Sequence, residues 1–200
     1  MAADKKTDRL AKVMAQRGVA SRRGAERLIE EGRVRVNGSI VYHPGHAVQV
    51  EVDLIKVDGR PLPDAPRKAY FLLNKPRGYL TGRADPDGRK SVHELVQHLP
   101  VRVEPVGRLD IDTEGALIFT NDGELAHLLT HPSSLVPKRY VAKVWRTPTE
   151  KTLNRIRAGL RLEDGRAAPC KARVKESTES GNAWVEITVT EGRNRLIRRV

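Results

Sequence analysis

The residues best suited to chemistry are the acids of a glycine-bounded polar segment, GRLDIDTEG, which runs from Gly107 to Gly115. It holds Asp110 and Asp112, and Asp122 follows in the turn sequence Asn-Asp-Gly. A carboxylate can act as a nucleophile or transfer a proton, yet aspartates beside glycines are also typical turn and cap residues. Spacing alone leaves both roles open for Asp110. We interpret Asp112 as a structural residue of the loop and Asp122 as a turn or N-cap residue.

The charge balance restricts the class of ligand. The 200 residues include 37 lysines and arginines against 25 acids, which gives a net charge of +12, and 38% of the residues are apolar. This excess attracts polyanions, so the expected partner is nucleic acid, and a merely solvated basic surface is the alternative. A membrane-surface protein is disfavoured because the sequence has no long amphipathic helix with basic and aromatic faces.

The cysteine count and the first residues indicate a cytoplasmic protein. Cys170 is the single cysteine, which excludes an internal disulfide and a cysteine-based zinc site and fits a reducing cytosol. The sequence begins MAADKKTDRLAKVM, which is charged and lacks the apolar core of a signal peptide. No stretch approaches the length of a transmembrane helix.

The first 60 residues read as two helices followed by strands. Apolar residues at helical spacing predict a helix over Arg9 to Gln16, and Ser21 is a suitable N-cap for a second one. Arg33 to Val36 alternates in polarity and precedes the hairpin turn pair Asn37-Gly38. The alternating stretch Val48 to Val52 is expected to complete a small sheet.

An arginine cluster accompanies the second helix. Its members are Arg22, Arg23 and Arg27 on or beside the helix start, and Arg33 and Arg35 on the following strand. Guanidinium groups projecting together can bind phosphates bidentately and would suit a structured RNA. A solvated basic face explains the cluster equally well, and a DNA-binding helix-turn-helix fits poorly because a hairpin follows at once.

A second domain begins after a proline-rich stretch. Three prolines between Arg60 and Arg67 predict a stiff linker, and Tyr70 to Asn74 is typical of a buried strand. Asp85 to Arg89 reads as a polar loop, and Ser91 with Glu94 resembles a capping box. Strands and helices then mix without a βαβ rhythm, which favours an α+β domain. The further elements are strands over 116–120 and 138–145, a helix over 150–160, and a mostly strand-like remainder to residue 200.

Two groups of motifs resemble known families. RLAKVMAQRGVASRRGAERLIEEGRVRVNG, within Arg9 to Gly59, looks like an S4 domain, an RNA-binding module. GRLDIDTEGALIFTNDGELAHLLTHP resembles the catalytic motif of bacterial ribosomal RNA pseudouridine synthases that carry an N-terminal S4 domain. LLNKPRGYL, KRYVAKV and EGRNRLIRRV match the same branch in the right order, and the overall likeness is greatest to the large-subunit enzymes.

The resemblance implies an S4 domain over 1–60, a linker over 61–68, and a mixed, largely antiparallel sheet domain over 69–200 that holds the active site. Because the sequence stops at Val200 inside the last motif, we expect that domain to lack its C-terminal end. The implied reaction isomerises uridine to pseudouridine in ribosomal RNA, and it needs no cofactor and no metal. The expected partner is ribosomal RNA or a ribosomal subunit precursor, and we expect a monomer.

The resemblance also assigns roles to residues. Asp110 becomes the catalytic carboxylate, by covalent attack or by moving a proton from the sugar. Arg198 matches the basic residue that favours its ionised form, and Tyr140 matches the tyrosine against the target base. Arg108 matches the arginine that helps to displace the target nucleotide. Arg193, Arg195 and Arg199 are expected to hold the RNA backbone or the loop. The other residues expected to bind RNA are Lys75, Arg22, Arg23, Arg27 and Arg33.

Two alternatives remain open at this level. One is a non-catalytic S4-containing protein that binds ribosomal RNA or assists ribosome assembly. The other is a DNA-binding regulator, which would prefer duplex DNA to structured RNA at matched salt.

Overall fold

A computed structural model describes residues 7–82 and 88–200 of the chain. The described chain divides into two compact units. The first unit comprises residues up to 73 together with 92–105 and 118–123, and the second comprises the rest. Most of the polar loop predicted at Asp85 to Arg89 lies outside the described residues. The domain boundaries proposed from the sequence remain a prediction.

The first unit begins with two helices and six short strands. As predicted, Ser21 caps the second helix, because its hydroxyl accepts a hydrogen bond of 3.1 Å from the amide of Gly24. The elements are β1 (Thr7–Arg9), α1 (Leu10–Gln16), α2 (Arg22–Glu30), β2 (Val34–Val36), β3 (Ser39–Ile40), β4 (Ala47–Gln49), β5 (Ile55–Val57) and β6 (Arg60–Pro61).

The hairpin turn of this unit is confirmed. Asn37 and Gly38 have φ values of 51° and 88°, the left-handed pair that a tight two-residue hairpin requires. Strand β2 pairs with β3 on one side and with β5 on the other, both antiparallel.

The strand predicted at Val48 to Val52 is only partly correct. Strand β4 ends at Gln49 and pairs with β1, while β5 completes the sheet around β2. The chain turns after Gln49 because the carboxylate of Asp53 accepts a 2.7 Å hydrogen bond from the Gln49 amide and another from Asn37. These bonds lower the pKa of Asp53.

One apolar core unites the helices and strands of the first unit. Its buried members come from both helices and from β2, β4 and β5. The core also accepts Leu62, and β6 pairs with β5. The start of the predicted linker therefore belongs to the packed unit. Pro61 is tolerated in β6 because β6 is an edge strand, where a residue need not donate a ladder hydrogen bond.

The strand predicted at Tyr70 to Asn74 forms, but it is not buried. It is β7 (Tyr70–Lys75), and it lies in a three-stranded sheet of order β7-β9-β8 with β8 (Glu104–Pro105) and β9 (Gly115–Thr120). Alternation exposes one side of β7, where Leu72 is 72% exposed.

Asp122 lies just before the third helix, as expected for a turn or N-cap residue. Its buried carboxylate accepts the Tyr70 hydroxyl at 2.9 Å and pairs with Lys68. The bond to Asp122 raises the pKa of Tyr70. Asp122 is thus occupied by contacts within the first unit.

The chain after β9 forms three helices and five strands. A 3₁₀ turn, Pro132–Ser134, precedes the longest strands. Another 3₁₀ turn, Val92–Leu95, lies earlier in the chain, before β9, where Ser91 and Glu94 predicted a short helix. The elements are α3 (Gly123–Thr130), β10 (Lys138–Val144), α4 (Glu150–Arg157), β11 (Arg161–Leu162), β12 (Gly165–Arg166), β13 (Lys171–Ser177), β14 (Ala183–Val189) and α5 (Leu196–Arg199).

An antiparallel sheet of order β10-β14-β13 carries the core of the second unit. Its inner face packs against α4 and α5 through Leu153, Leu196, Val185, Ile187 and Val189. The strand-like pattern predicted to residue 200 ends earlier, because Arg195 adopts a left-handed backbone with φ 49° and Leu196 then enters the core in a helical turn. The predicted α+β class with largely antiparallel sheets is confirmed. Among the residues described, no helix is long and apolar enough to cross a membrane.

Candidate active site

Asp110 lies in the loop that connects β8 with β9, within the second unit. The loop turns sharply at Asp110, whose carbonyl accepts the amide of Thr113 at 3.0 Å. Gly107 and Gly115 bound it with φ values of 79° and 129°, which favour glycine over residues with a side chain. The Asp110 side chain is 36% exposed, so it can reach a substrate.

A buried lysine holds this loop from below. Lys75, the last residue of β7, is fully buried, and its ammonium group donates to four backbone carbonyls. The acceptors and distances are Thr113 (2.8 Å), Pro76 (3.0 Å), Asp110 (3.1 Å) and Ile111 (3.3 Å). Burial lowers the pKa of Lys75, and the negative charges of Asp112 and Asp110 oppose that shift.

The expectation that Lys75 binds RNA is therefore corrected. A side chain with no exposed surface cannot contact a phosphate, and the four carbonyls take up its donors. Lys75 instead fixes the backbone on which Asp110 stands. The sequence held no local sign of this arrangement, because the acceptors lie 35 to 38 residues away along the chain, apart from the adjacent Pro76.

The segment after Lys75 adds further bonds to the same loop. The Gly78 amide donates to the Ile111 carbonyl at 2.8 Å, and the Arg77 guanidinium donates to the Asp112 carbonyl at 3.0 Å. The buried hydroxyl of Thr81 donates to the Leu109 carbonyl and accepts the Leu109 amide. The backbone around Asp110 is thus held on both sides, and the role of Thr81 was missed by the sequence reasoning.

Arg198 lies beside two carboxylates, as predicted for its partnership with Asp110. Its guanidinium approaches the Asp110 carboxylate to 3.6 Å and the Asp112 carboxylate to 3.5 Å. The Arg198 side chain is 40% exposed, so solvent screens these ion pairs and they contribute little stability. Asp112, interpreted from the sequence as structural, shares the arginine with Asp110 and belongs to the charged group of the site.

Tyr140 also faces this group. It lies on the inner side of β10, opposite Ile187 of β14, and packs against the core of the second unit. Burial raises the pKa of Tyr140, and the negative charge of Asp110 raises it further. The phenol is therefore neutral at physiological pH and can donate or accept a hydrogen bond.

A second carboxylate outside the site anchors the helical turn that carries Arg198. Asp164, in the turn between β11 and β12, pairs with Arg193 through two guanidinium nitrogens and with Arg199 at 2.7 Å. These bonds keep the pKa of Asp164 well below its usual range. Arg193 also donates to the carbonyls of Arg166 and Gly165.

These contacts favour one of the two roles expected of Arg193, holding the loop rather than the RNA backbone. Its guanidinium forms two bonds to a carboxylate and two to backbone carbonyls of the adjacent hairpin, so it ties the C-terminal segment to the sheet. Since Arg193 and Arg199 flank Arg198, Asp164 fixes the position of Arg198 from both sides.

The other residues expected to bind RNA fall into two groups. Arg108 and Arg195 are exposed in the second unit, and Arg22, Arg23 and Arg27 are exposed on α2 in the first. Arg33 is also exposed, but it forms a bidentate pair with Asp58 and contacts Glu31. That pairing lowers the pKa of Asp58, so Arg33 is already engaged within the protein.

The site is thus a half-exposed carboxylate on a rigid loop, flanked by a guanidinium and a neutral phenol. Such a carboxylate can attack an electrophilic carbon or take a proton from one. Within residues 7–82 and 88–200, no group of three or more histidine, cysteine or acidic side chains is arranged to hold a metal ion.

Two family profiles match this chain. The family profile for RNA pseudouridylate synthase matches residues 69–200, and the S4 domain profile matches residues 8–54. A relative from Aquifex aeolicus, called an uncharacterized RNA pseudouridine synthase, is 51% identical over 193 residues, covering 96% of this chain and 76% of that protein.

Two further proteins extend the comparison. Ribosomal large subunit pseudouridine synthase B of Bacillus subtilis is 45% identical over 198 residues, covering 96% of this chain and 79% of that enzyme. A solved structure described as a pseudouridylate synthase superposes with a TM-score of 0.62 at 27% identity, over 96% of this chain and 80% of the other.

Proposed function

Because the chain belongs to the family of RNA pseudouridylate synthases and carries an S4 domain, we propose that it isomerises a uridine of large-subunit ribosomal RNA to pseudouridine. The large subunit is favoured by the relative from Bacillus subtilis, whose name specifies it. The observation that carries the catalytic part is the placement of Asp110, on a braced loop and within ion-pair distance of Arg198.

The reaction is balanced without any added reagent. The bond between the sugar and the ring nitrogen of uracil breaks, and a bond forms between the same sugar carbon and a ring carbon. That ring carbon loses its proton, and the freed nitrogen carries one in the product. One carboxylate can carry out these reaction steps, because the substrate itself supplies every atom of the product.

Asp110 acts at the sugar in this proposal, either by attack on the carbon that holds the base or by removal of a neighbouring proton. Arg198 lies 3.6 Å from this carboxylate and can orient it toward the sugar. Tyr140, a neutral phenol beside Asp110, lies against the target base and can assist in moving the ring proton. A primary isotope effect with uridine deuterated beside the reacting sugar carbon would select proton removal over attack.

The exposed arginines divide the binding of RNA between the two units. Arg108 stands two residues before Asp110 and is exposed, so its planar cation can take the place of the extruded base in the stack. Arg195 is placed to contact the RNA backbone near the site, and Arg22, Arg23 and Arg27 on α2 supply phosphate contacts from the S4 domain. We further propose a monomer that works in the cytoplasm, on ribosomal RNA or a subunit precursor.

The test is pseudouridine mapping on ribosomal RNA of both subunits, taken from cells lacking the gene and treated with purified protein. Wild-type protein is expected to modify a uridine of the large-subunit RNA, and Asp110→Asn to bind the same RNA without modifying it. Glu114→Gln is the matched control, because it removes a negative charge at an exposed position of the same loop and should keep measurable activity. If wild-type protein leaves every uridine unchanged, on naked and on ribosome-bound RNA, the chain is a non-catalytic RNA-binding protein.

A further inference from the structure

The sheet of the second unit has a face that the proposed reaction does not use. Alternation along β10, β14 and β13 turns Tyr140, Ile187 and Ala172 toward the core and their neighbours toward solvent. We call the solvent side the outer sheet face, and its residues are Arg139, Val141, Lys143, Lys171, Arg173, Lys175, Glu176, Trp184, Glu186 and Thr188.

Positive charge dominates the outer sheet face. It holds five exposed cations against two acids, Glu176 and Glu186. Glu186 lies at the centre, in register between Val141 and Arg173, and its carboxylate accepts a hydrogen bond of 3.0 Å from Arg173. Arg173 lowers the pKa of Glu186, and Arg139 and Lys175 lower it further. The negative charge of Glu186 is thereby compensated by Arg173, and the other cations of the face remain to attract an anion.

Aromatic side chains stand among these cations. Trp184 lies on the outer sheet face, with the ammonium of Lys143 5.8 Å from its ring centre. Trp145 follows β10 at the next position of the same alternation and is 81% exposed. Val141 is exposed on the same face, two residues before Lys143. An exposed tryptophan leaves a large apolar surface in water, so it is typical of a surface that a ligand covers.

We propose that the outer sheet face binds an unpaired segment of the RNA substrate, separate from the segment held at Asp110. Bases would stack on Trp145 and Trp184, while the phosphates contact Arg139, Lys143 and Lys171. Proteins that bind single-stranded nucleic acid combine these two features, aromatic platforms for bases and cations that follow the backbone. A duplex hides the faces of its bases, so the exposed ring of Trp145 favours unpaired RNA. The proposal rests on the proposed function in that the ligand is the same RNA.

The chain provides its own reporter for this surface. It contains two tryptophans, Trp145 and Trp184, and both belong to or adjoin the outer sheet face. Titration of the wild-type protein with a single-stranded oligouridylate of about 12 nucleotides is expected to quench tryptophan fluorescence, and a duplex of equal length to quench it less. Trp145→Ala is expected to weaken binding of the oligouridylate about fivefold or more, from the usual contribution of one stacked base.

Charge variants test the phosphate contacts. Arg139→Gln and Lys171→Gln are each expected to lower the slope of log affinity against log salt by about 0.7, the value for one phosphate contact with a single strand. Lys151→Gln is the matched control, since Lys151 is an exposed lysine on α4 of the same unit. It should leave the quenching and the salt slope unchanged.

The outcomes separate this proposal from the reaction. If Asp110→Asn abolishes pseudouridine formation but keeps the quenching, both stand. If wild-type protein forms no pseudouridine yet oligouridylate is bound through these residues, the function fails and the outer sheet face stands. If pseudouridine forms but Trp145→Ala, Arg139→Gln and Lys171→Gln bind RNA like wild type, the proposal is overturned and the face belongs to a protein partner or to solvent.

Discussion

Replacing Lys75 by methionine removes the ammonium group that holds the Asp110 loop but keeps the length of the side chain. Four carbonyls lose a donor. The carbonyls of Asp110 and Ile111 keep a backbone amide partner, from Thr113 and Gly78, so the loss falls mainly on those of Pro76 and Thr113. An unsatisfied buried acceptor costs about 1–3 kcal/mol, which gives about 2–6 kcal/mol for two of them.

The net loss should be smaller than the upper end of that range, because the variant no longer buries a charge. Replacing a buried charge by an apolar group recovers part of the desolvation cost. We therefore expect Lys75→Met to lower the free energy of unfolding by about 2–4 kcal/mol. That is a large share of the roughly 5–15 kcal/mol that stabilises most domains.

The assay is denaturant unfolding of wild type, Lys75→Met and the control Lys151→Met, an exposed position on α4 where about 0.5 kcal/mol or less is expected. At a temperature where wild type and Lys75→Met are both folded, the variant should have a lower kcat and an unchanged affinity for RNA, because Lys75 is buried and has no surface that RNA could contact. A stability equal to that of Lys151→Met would refute the bracing role. A loss of RNA affinity with kcat intact would instead restore the direct RNA contact expected from the sequence.

Three further predictions test the surroundings of the site and the packing of the second unit. Asp164→Asn should release Arg198 and lower kcat by roughly 10-fold to 100-fold, the usual effect of a small misplacement, whereas Glu163→Gln beside it should not; equal kcat values for the two variants would refute the anchoring role. Because burial and the Asp110 charge raise the pKa of Tyr140, the native state keeps the phenolic proton where the unfolded chain has lost it, so this stabilisation is complete below about pH 10 and fades as pH rises above it. The thermal unfolding midpoint of Tyr140→Phe should therefore fall less steeply with pH than the midpoint of wild type between about pH 9 and 11. Identical slopes would contradict the raised pKa. Gly159→Ala should destabilise the protein in denaturant far more than Gly165→Ala. Both glycines have positive φ, but a Cβ at Gly159 would lie 2.1 Å from the Ala167 carbonyl oxygen, while at Gly165 nothing lies within 4 Å. Equal denaturation midpoints for the two variants would show that the backbone at Gly159 shifts to accept the Cβ.

Local chemistry made much of the fold predictable. The cap at Ser21 and the turn at Asn37-Gly38 were correct because each depends on the conformational preference of a few adjacent residues. Errors arose where a side-chain hydrogen bond, which the alternation of polarity does not reveal, ended an element. The strand at Val48 to Val52 stops early because Asp53 binds the Gln49 amide and Asn37.

The proximity of the candidate site residues could also be predicted from the sequence. Asp110 and Arg198 were paired by their motifs, and the structure brings them to 3.6 Å. Tyr140 lies close enough to Asp110 for the carboxylate charge to raise its pKa. These assignments could be made in advance because motif order identifies residue types that a reaction needs, whatever holds them in place.

The sequence by itself determined the family and the α+β class, and it singled out Asp110 as the candidate carboxylate. Only the tertiary structure decided which cations face a ligand. Lys75 and Arg193 look like any other basic residue along the chain, yet one is buried beneath the Asp110 loop and the other is bound to Asp164, 29 residues away. The physical reason is that a cation leaves water only where enough acceptors converge on it, and here those acceptors come from segments that folding alone brings together.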